Sequence, residues 1–230
     1  ERYALIGINC CNRLVEGCLR SKDWHGAWEF CALAGQLSED PTWRERWTSE
    51  DAWAVALYQS HFHSAEVARL LGQNVKAYNN CGSRRHLEAS RRCLLACEAI
   101  LAVCPPATDA PESLHTCLAE TAWQLRDFPA ARRSCKCALA SLAKGSGAAK
   151  AYATLFVMWI FENVAIEERS WDEVQAVLHC AQQLVDKLAS AADRPPDQVR
   201  LHRSLLKKMQ CAGDAALPGQ LQPHSPGRDV

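Results

Sequence analysis

The stretch CLAETAWQLRDFPAARRSCKCALASL, residues 117–142, decides how the chain is read. Apolar and small residues recur at helical spacing on both sides of Arg126-Asp127-Phe128, setting Leu118, Ala122 and Leu125 on one helix opposite Ala131, Cys135 and Ala138 on the next. Asp127 is placed to cap the second helix by accepting a bond from a free first-turn amide. Pro129 falls in that turn, where its missing N–H costs nothing, and Ala131 and Ala138 are small enough for two helices to approach closely. The segment predicts an antiparallel helix pair with a tight corner.

Working outward, the order Phe128, Ala131, Cys135, Ala138 recurs as Trp24, Ala27, Cys31, Ala34 and as Trp171, Val174, Leu178, Ala181. Weaker copies fall at Phe62, Ala65, Arg69, Gly72 and at His86, Ala89, Cys93, Ala96. This order resembles a tetratricopeptide repeat over roughly residues 5 to 190, at an irregular period longer than the about 34 residues of an ordinary repeat. The resemblance implies an all-α, right-handed superhelix of antiparallel helix hairpins. It also implies a non-enzymatic protein–protein interaction scaffold, in which the first helix of each hairpin lines a concave groove that takes a peptide or helix of a partner.

Residue patterns place about ten helices and no strand along the chain. The first, over 2–21, turns Leu5, Ile8, Leu14 and Val15 inward, and the second runs over 24–38. A capping box at Thr42 and Glu45 opens a third, which carries Trp43, Trp47 and Trp53 and is broken at Thr48-Ser49-Glu50. Ser64 is expected to cap another that stops near Asn79-Asn80-Cys81-Gly82, and the next spans 84–103. After a proline-rich loop over 105–111 comes the pair described above, closed by Lys144-Gly145-Ser146-Gly147. Helices then follow over 148–168 and 171–191, the second opened by a box at Ser170 and Glu173. Arg194-Pro195-Pro196 stops that helix, and Asp197 caps a last one with Val199, Leu205 and Leu206 inward and Arg200, Arg203, Lys207 and Lys208 outward. The helical repeat domain is thus expected over 1–211, with a disordered tail over 212–230.

Composition narrows the function classes. Apolar residues make up 48% of the 230 and charged residues 23%, which gives ample material for a core. Lysine plus arginine equals aspartate plus glutamate at 26 each, so no global field draws a polyanion. The 13 cysteines are odd in number and sit at helical packing positions such as Cys31, Cys93, Cys135 and Cys180, which points to buried thiols in a reducing compartment, the cytoplasm or nucleus. The longest apolar run, Tyr152 to Ile166, is interrupted by Glu162 and Asn163, so no membrane span is expected. A first residue other than Met is compatible with a fragment of a longer protein.

No constellation of catalytic residues emerges. His61, His63, His179 and Cys180 are zinc-ligand types, but no C-x-x-C pair accompanies them, and Cys93 and Cys97 lack a second pair. Glycine-rich phosphate loops, G-x-S-x-G and H-E-x-x-H are missing from the sequence. Neither an enzyme activity nor a metal or cofactor is expected. The residues expected to meet a partner are Asn12 and Arg13 on the first helix, Trp123, Trp159 and Asn163 on the first helices of later pairs, and Arg132 and Arg133 on an outer basic stripe. A second stripe, Arg84-Arg85-His86 with Arg91-Arg92, gives the alternative of a helical-repeat RNA binder. The lysine, asparagine and arginine set with which some tetratricopeptide proteins hold a C-terminal carboxylate has no match.

Overall fold

The structure is a computed structural model that describes residues 2–38, 51–74, 80–103, 110–143, 148–190 and 196–216. Among them every regular element is an α-helix: α1 (Arg2–Ser21), α2 (Trp24–Ser38), α3 (Asp51–Asn74), α4 (Asn80–Val103), α5 (Ala110–Gln124), α6 (Phe128–Leu142), α7 (Ala148–Glu167), α8 (Trp171–Ala189) and α9 (Pro196–Ala216). The fold is all-α, with nine helices among the described residues where the sequence predicts about ten. The capping box at Thr42 and Glu45, the break at Thr48, and Trp43 and Trp47 lie outside the described residues, as do Lys144 to Gly147. The chain divides into two compact units, Glu1–Ser141 and Leu142–Val230.

Three corners are built alike. Lys22, Arg126 and Arg169 each adopt the left-handed conformation, with φ of 61°, 62° and 57°. The next residue's N–H reaches back five positions in each, from Asp23 to Cys18 O (2.9 Å), Asp127 to Ala122 O (2.9 Å) and Ser170 to Ala165 O (2.8 Å). This recovers carbonyls that a helix end leaves free, which offsets the roughly 1–2 kcal/mol that the left-handed backbone costs a residue with a Cβ. Asp23 and Asp127 then cap the following helix, accepting from the N–H of Gly26 (3.0 Å) and Ala130 (3.1 Å). Ser170 caps with its backbone only: its carbonyl accepts from Glu173, and its hydroxyl makes no capping bond, so the box predicted there is not formed. The three strong copies of the sequence pattern all follow these corners. Ala27, Ala34, Ala131, Cys135, Ala138, Val174 and Ala181 are all buried to near completeness.

The two weak copies follow no corner. Phe62 lies in the middle of the continuous α3, and Ser64 donates its hydroxyl to Ser60 O (2.8 Å) instead of capping a new helix. His86 lies inside α4, which already begins at Asn80, so Asn80 to Gly82 open a helix rather than stop one.

In the first unit, helix pairs stack by one rule. The first helix of the second pair, α3, packs on both α1 and α2. Val67 of α3 shares a core cluster with Val15 of α1 and with Ala27 and Cys31 of α2, while Ile8 of α1 meets Trp53, Ala56 and Leu57 of α3. Next, α5 packs on α4, and its Leu114 and Leu118 share a core cluster with Ala65 of α3 as well as with Leu94 and Cys97 of α4. Leu14 is a correction, being 48% exposed on the outer side of α1 while Val15 beside it carries the core contact.

The second unit repeats the rule on a smaller scale. The single helix α9 lies over both α7 and α8, with Leu206 and Met209 against Leu155, Ala181 and Val185. Arg200, Arg203, Lys207 and Lys208 are exposed, as the sequence predicts, while His202 and Met209 complete the buried face. By length and composition, Ala149–Glu167 could cross a bilayer, with a mean hydropathy of 1.2. In the structure Leu155 and Glu162 on one side of α7 and Val157, Ile160 and Val164 on the other are fully buried.

Helical structure continues past the boundary expected at residue 211. Gly213 is buried where α9 crosses α8, so near that a Cβ there would lie 2.9 Å from Leu178 Cδ1. Because the sequence over 217–230 shows no periodic apolar face, truncation after Ala216 is expected to leave the melting temperature unchanged. Truncation after Cys211 removes this seat and is expected to cost on the order of 1–2 kcal/mol by lost burial, read as a lower melting temperature.

Candidate partner-binding surface

The first helices of the three pairs in the first unit, α1, α3 and α5, are joined by polar side chains into one row. Glu16 of α1 lies 3.8 Å from His63 Nε2 of α3. Arg69, further along α3, lies 3.5 Å from Glu120 Oε1 of α5, and Gln124 Nε2 donates to the same oxygen at 3.2 Å. Glu66 stands between His63 and Arg69 at three-residue spacing, which keeps all three near one stripe of α3. On α5, Thr116 and Trp123 share the stripe of Glu120 and are half-buried. Arg13 is exposed one turn before Glu16.

The electrostatics of this row are uneven. Burial pushes the His63 imidazole below its ordinary value, against the upward pull of Glu16 and Glu66, and burial also lowers His61. Several buried polar atoms near the row have no hydrogen-bond partner: His63 Nδ1, Gln124 Oε1, Thr121 Oγ1 and, on α4, Ser90 Oγ. An unmade bond of this kind costs about 1–3 kcal/mol unless a ligand or water supplies it.

The residues singled out in the sequence divide. Arg13 and Trp123 fall on the row. Asn12 does not: it is buried, and its amide donates to Ala56 O at 3.1 Å, holding α1 to α3. Trp159 is packed against the core of the second unit with its ring 5.7 Å from Phe156, and Asn163 donates to Trp159 O at 2.7 Å within α7. On α6, Arg132 is half-buried and Arg133 exposed, and the charge of Arg132 acts on Cys135 one turn away. Sequence reasoning misses Glu66 and Gln124 and meets His63 only as a zinc-ligand type and Arg69 only as a position in a weak repeat copy. On α3 the only signal is helical spacing, which is broken when Ser64 is taken as a helix start, and Gln124 lies at the end of α5.

The basic stripes are partly committed to carboxylates. Arg84 pairs with Glu88 at 3.1 Å, and Arg91 reaches from α4 to Asp127 at 2.8 Å, clamping the α5–α6 corner. Arg85 and Arg92 are exposed.

The cysteines depart from the expected burial. Cys11, Cys31, Cys97 and Cys135 are buried, but Cys10, Cys137, Cys180 and Cys211 are exposed, and all eleven described thiols are free. Burial pushes Cys31 up to about 11 and both Cys117 and Cys135 up to about 12, so these groups are protonated thiols near neutral pH and poor nucleophiles. Among the described residues no group of three or more His, Cys, Asp or Glu side chains is arranged to hold a metal ion.

No protein-family model, curated protein or solved structure matches the chain. What the fold defines is a class: packed antiparallel helix pairs, compatible with a helical repeat.

Proposed function

We propose that this chain is a tetratricopeptide-like, non-enzymatic scaffold that binds a peptide or helix of another protein along the first-helix row of its first unit. The row carries the proposal, because polar side chains join three successive first helices along it and the exposed Arg13 and Glu16 and the half-buried Trp123 lie on it. First helices are also the surface that the tetratricopeptide resemblance assigns to partners. Free thiols at exposed positions accord with a reducing compartment, cytoplasm or nucleus. The RNA alternative draws less support, since Arg84 and Arg91 already serve carboxylates.

Affinity purification with and without nuclease tests the proposal, using wild type and the doubly charge-reversed Arg13→Glu, Glu16→Lys. Both residues are exposed, so the fold is expected to persist. The scaffold predicts a protein partner that survives nuclease and is lost from the variant. Recovery that disappears with nuclease and ignores the variant would favour RNA.

A further inference from the structure

Beside the row, α3, α4 and α5 enclose a cleft of about 90 Å³. Phe62 and Leu94 give it apolar walls, and Glu66, Arg69, Ser90 and Cys117 its polar ones. Arg69 is matched by Glu120, whereas no salt bridge among the described residues engages the half-buried Glu66, whose charge acts on His63 three residues before it. Ser90 lines the same cleft at 1% exposure, and its hydroxyl has no partner.

We infer that this cleft receives a lysine side chain of the partner peptide, an inference that rests on the scaffold reading above. The chemistry selects that occupant. With Glu66, Glu120 and Arg69 the site carries one net negative charge, and its open groups, a carboxylate and a hydroxyl, both accept hydrogen bonds. An ammonium supplies the missing donors and the missing charge, and the aliphatic stem of lysine fits between Phe62 and Leu94. The volume equals about three waters, enough for the end of one side chain and too little for a larger group. An acidic side chain would instead meet Glu66 with Arg69 already neutralised.

A random peptide library displayed on phage and panned against the intact chain provides the probe. Enriched peptides are expected to share a lysine. Replacing it with norleucine, which keeps the stem and removes the charge, should weaken binding to wild type by about tenfold or more. The same replacement should change binding to Glu66→Gln little, because the two losses are one interaction. Ser90→Ala separates recognition from folding: it removes an unsatisfied hydroxyl, so the melting temperature holds or rises while the lysine peptide binds more weakly. Peptides that bind wild type and Glu66→Gln equally would overturn the lysine site and leave the scaffold standing. Failure to enrich any peptide would overturn both.

Discussion

Ala131→Arg is expected to unfold the first unit or nearly so. Ala131 is fully buried three residues past the corner's Phe128, its N–H bound to Asp127 O at 2.9 Å, with Cys135 and Ala138 buried on the same face and Ala119 and Ala122 buried on α5. A guanidinium at that point either forces the helices apart or stays inside without a counter-charge. Each outcome costs about 3 kcal/mol or more, a large share of the roughly 5–15 kcal/mol that holds a domain folded. Arg133→Ala is the control, because Arg133 is exposed and surface changes stay within about ±0.5 kcal/mol. Arg132 serves less well, being half-buried beside Cys135. Thermal melts by circular dichroism decide the matter. If Ala131→Arg melted with wild type, residues 117–142 could not form the close pair described.

The second large effect belongs to Glu162. It is fully buried in α7, neither carboxylate oxygen has a hydrogen-bond partner, and a Cβ on Gly213 of α9 would lie 3.4 Å from Oε1. In the second unit the residues around that Gly213 position are apolar, Val174 and Leu178 of α8. Desolvation pushes the carboxyl up from 4.5 to about 8. The folded chain therefore keeps a proton that the unfolded chain releases above pH 4.5. Stability from this group is complete below the unfolded value and declines as pH rises, until the folded carboxyl also ionises near 8. The loss across that window is on the order of 4–5 kcal/mol. Glu162→Gln removes the ionisation, so its denaturant midpoint is expected to stay level across the window and to exceed that of wild type above pH 8. Parallel pH profiles for the two proteins would show that Glu162 is solvated or paired.

Much of the architecture was legible because corners are local. Asp127, Phe128 and Pro129 act within a few residues of one another, so a short stretch of sequence carries the whole device, and Trp24 and Trp171 repeat it. Helix interiors mislead for the same reason. In α3 and α4 a continuous apolar face produces the small-and-bulky order at Phe62 and His86 without any turn, and a serine such as Ser64 satisfies its hydroxyl on the preceding turn just as readily as it caps. The candidate surface was least legible, since it depends on partners distant in the chain. Arg69 meets Glu120 across 51 residues, and no spacing rule brings them together. Asn12 illustrates the converse: a polar residue on a first helix reads as a surface group until Ala56 O, 44 residues away, claims its amide. Glu162 looked like an interruption in an apolar run, and only the packed structure shows that the carboxylate is enclosed.

The stacking of α3 on both helices of the preceding pair is tested most directly by methyl NOEs from Val67. Contacts from Val67 to Val15 on α1 and also to Ala27 on α2 are the predicted result, since the three share one core cluster with Cys31. A Val67 that reaches only one of those helices, or neither, would contradict the stack and the row of first helices built on it.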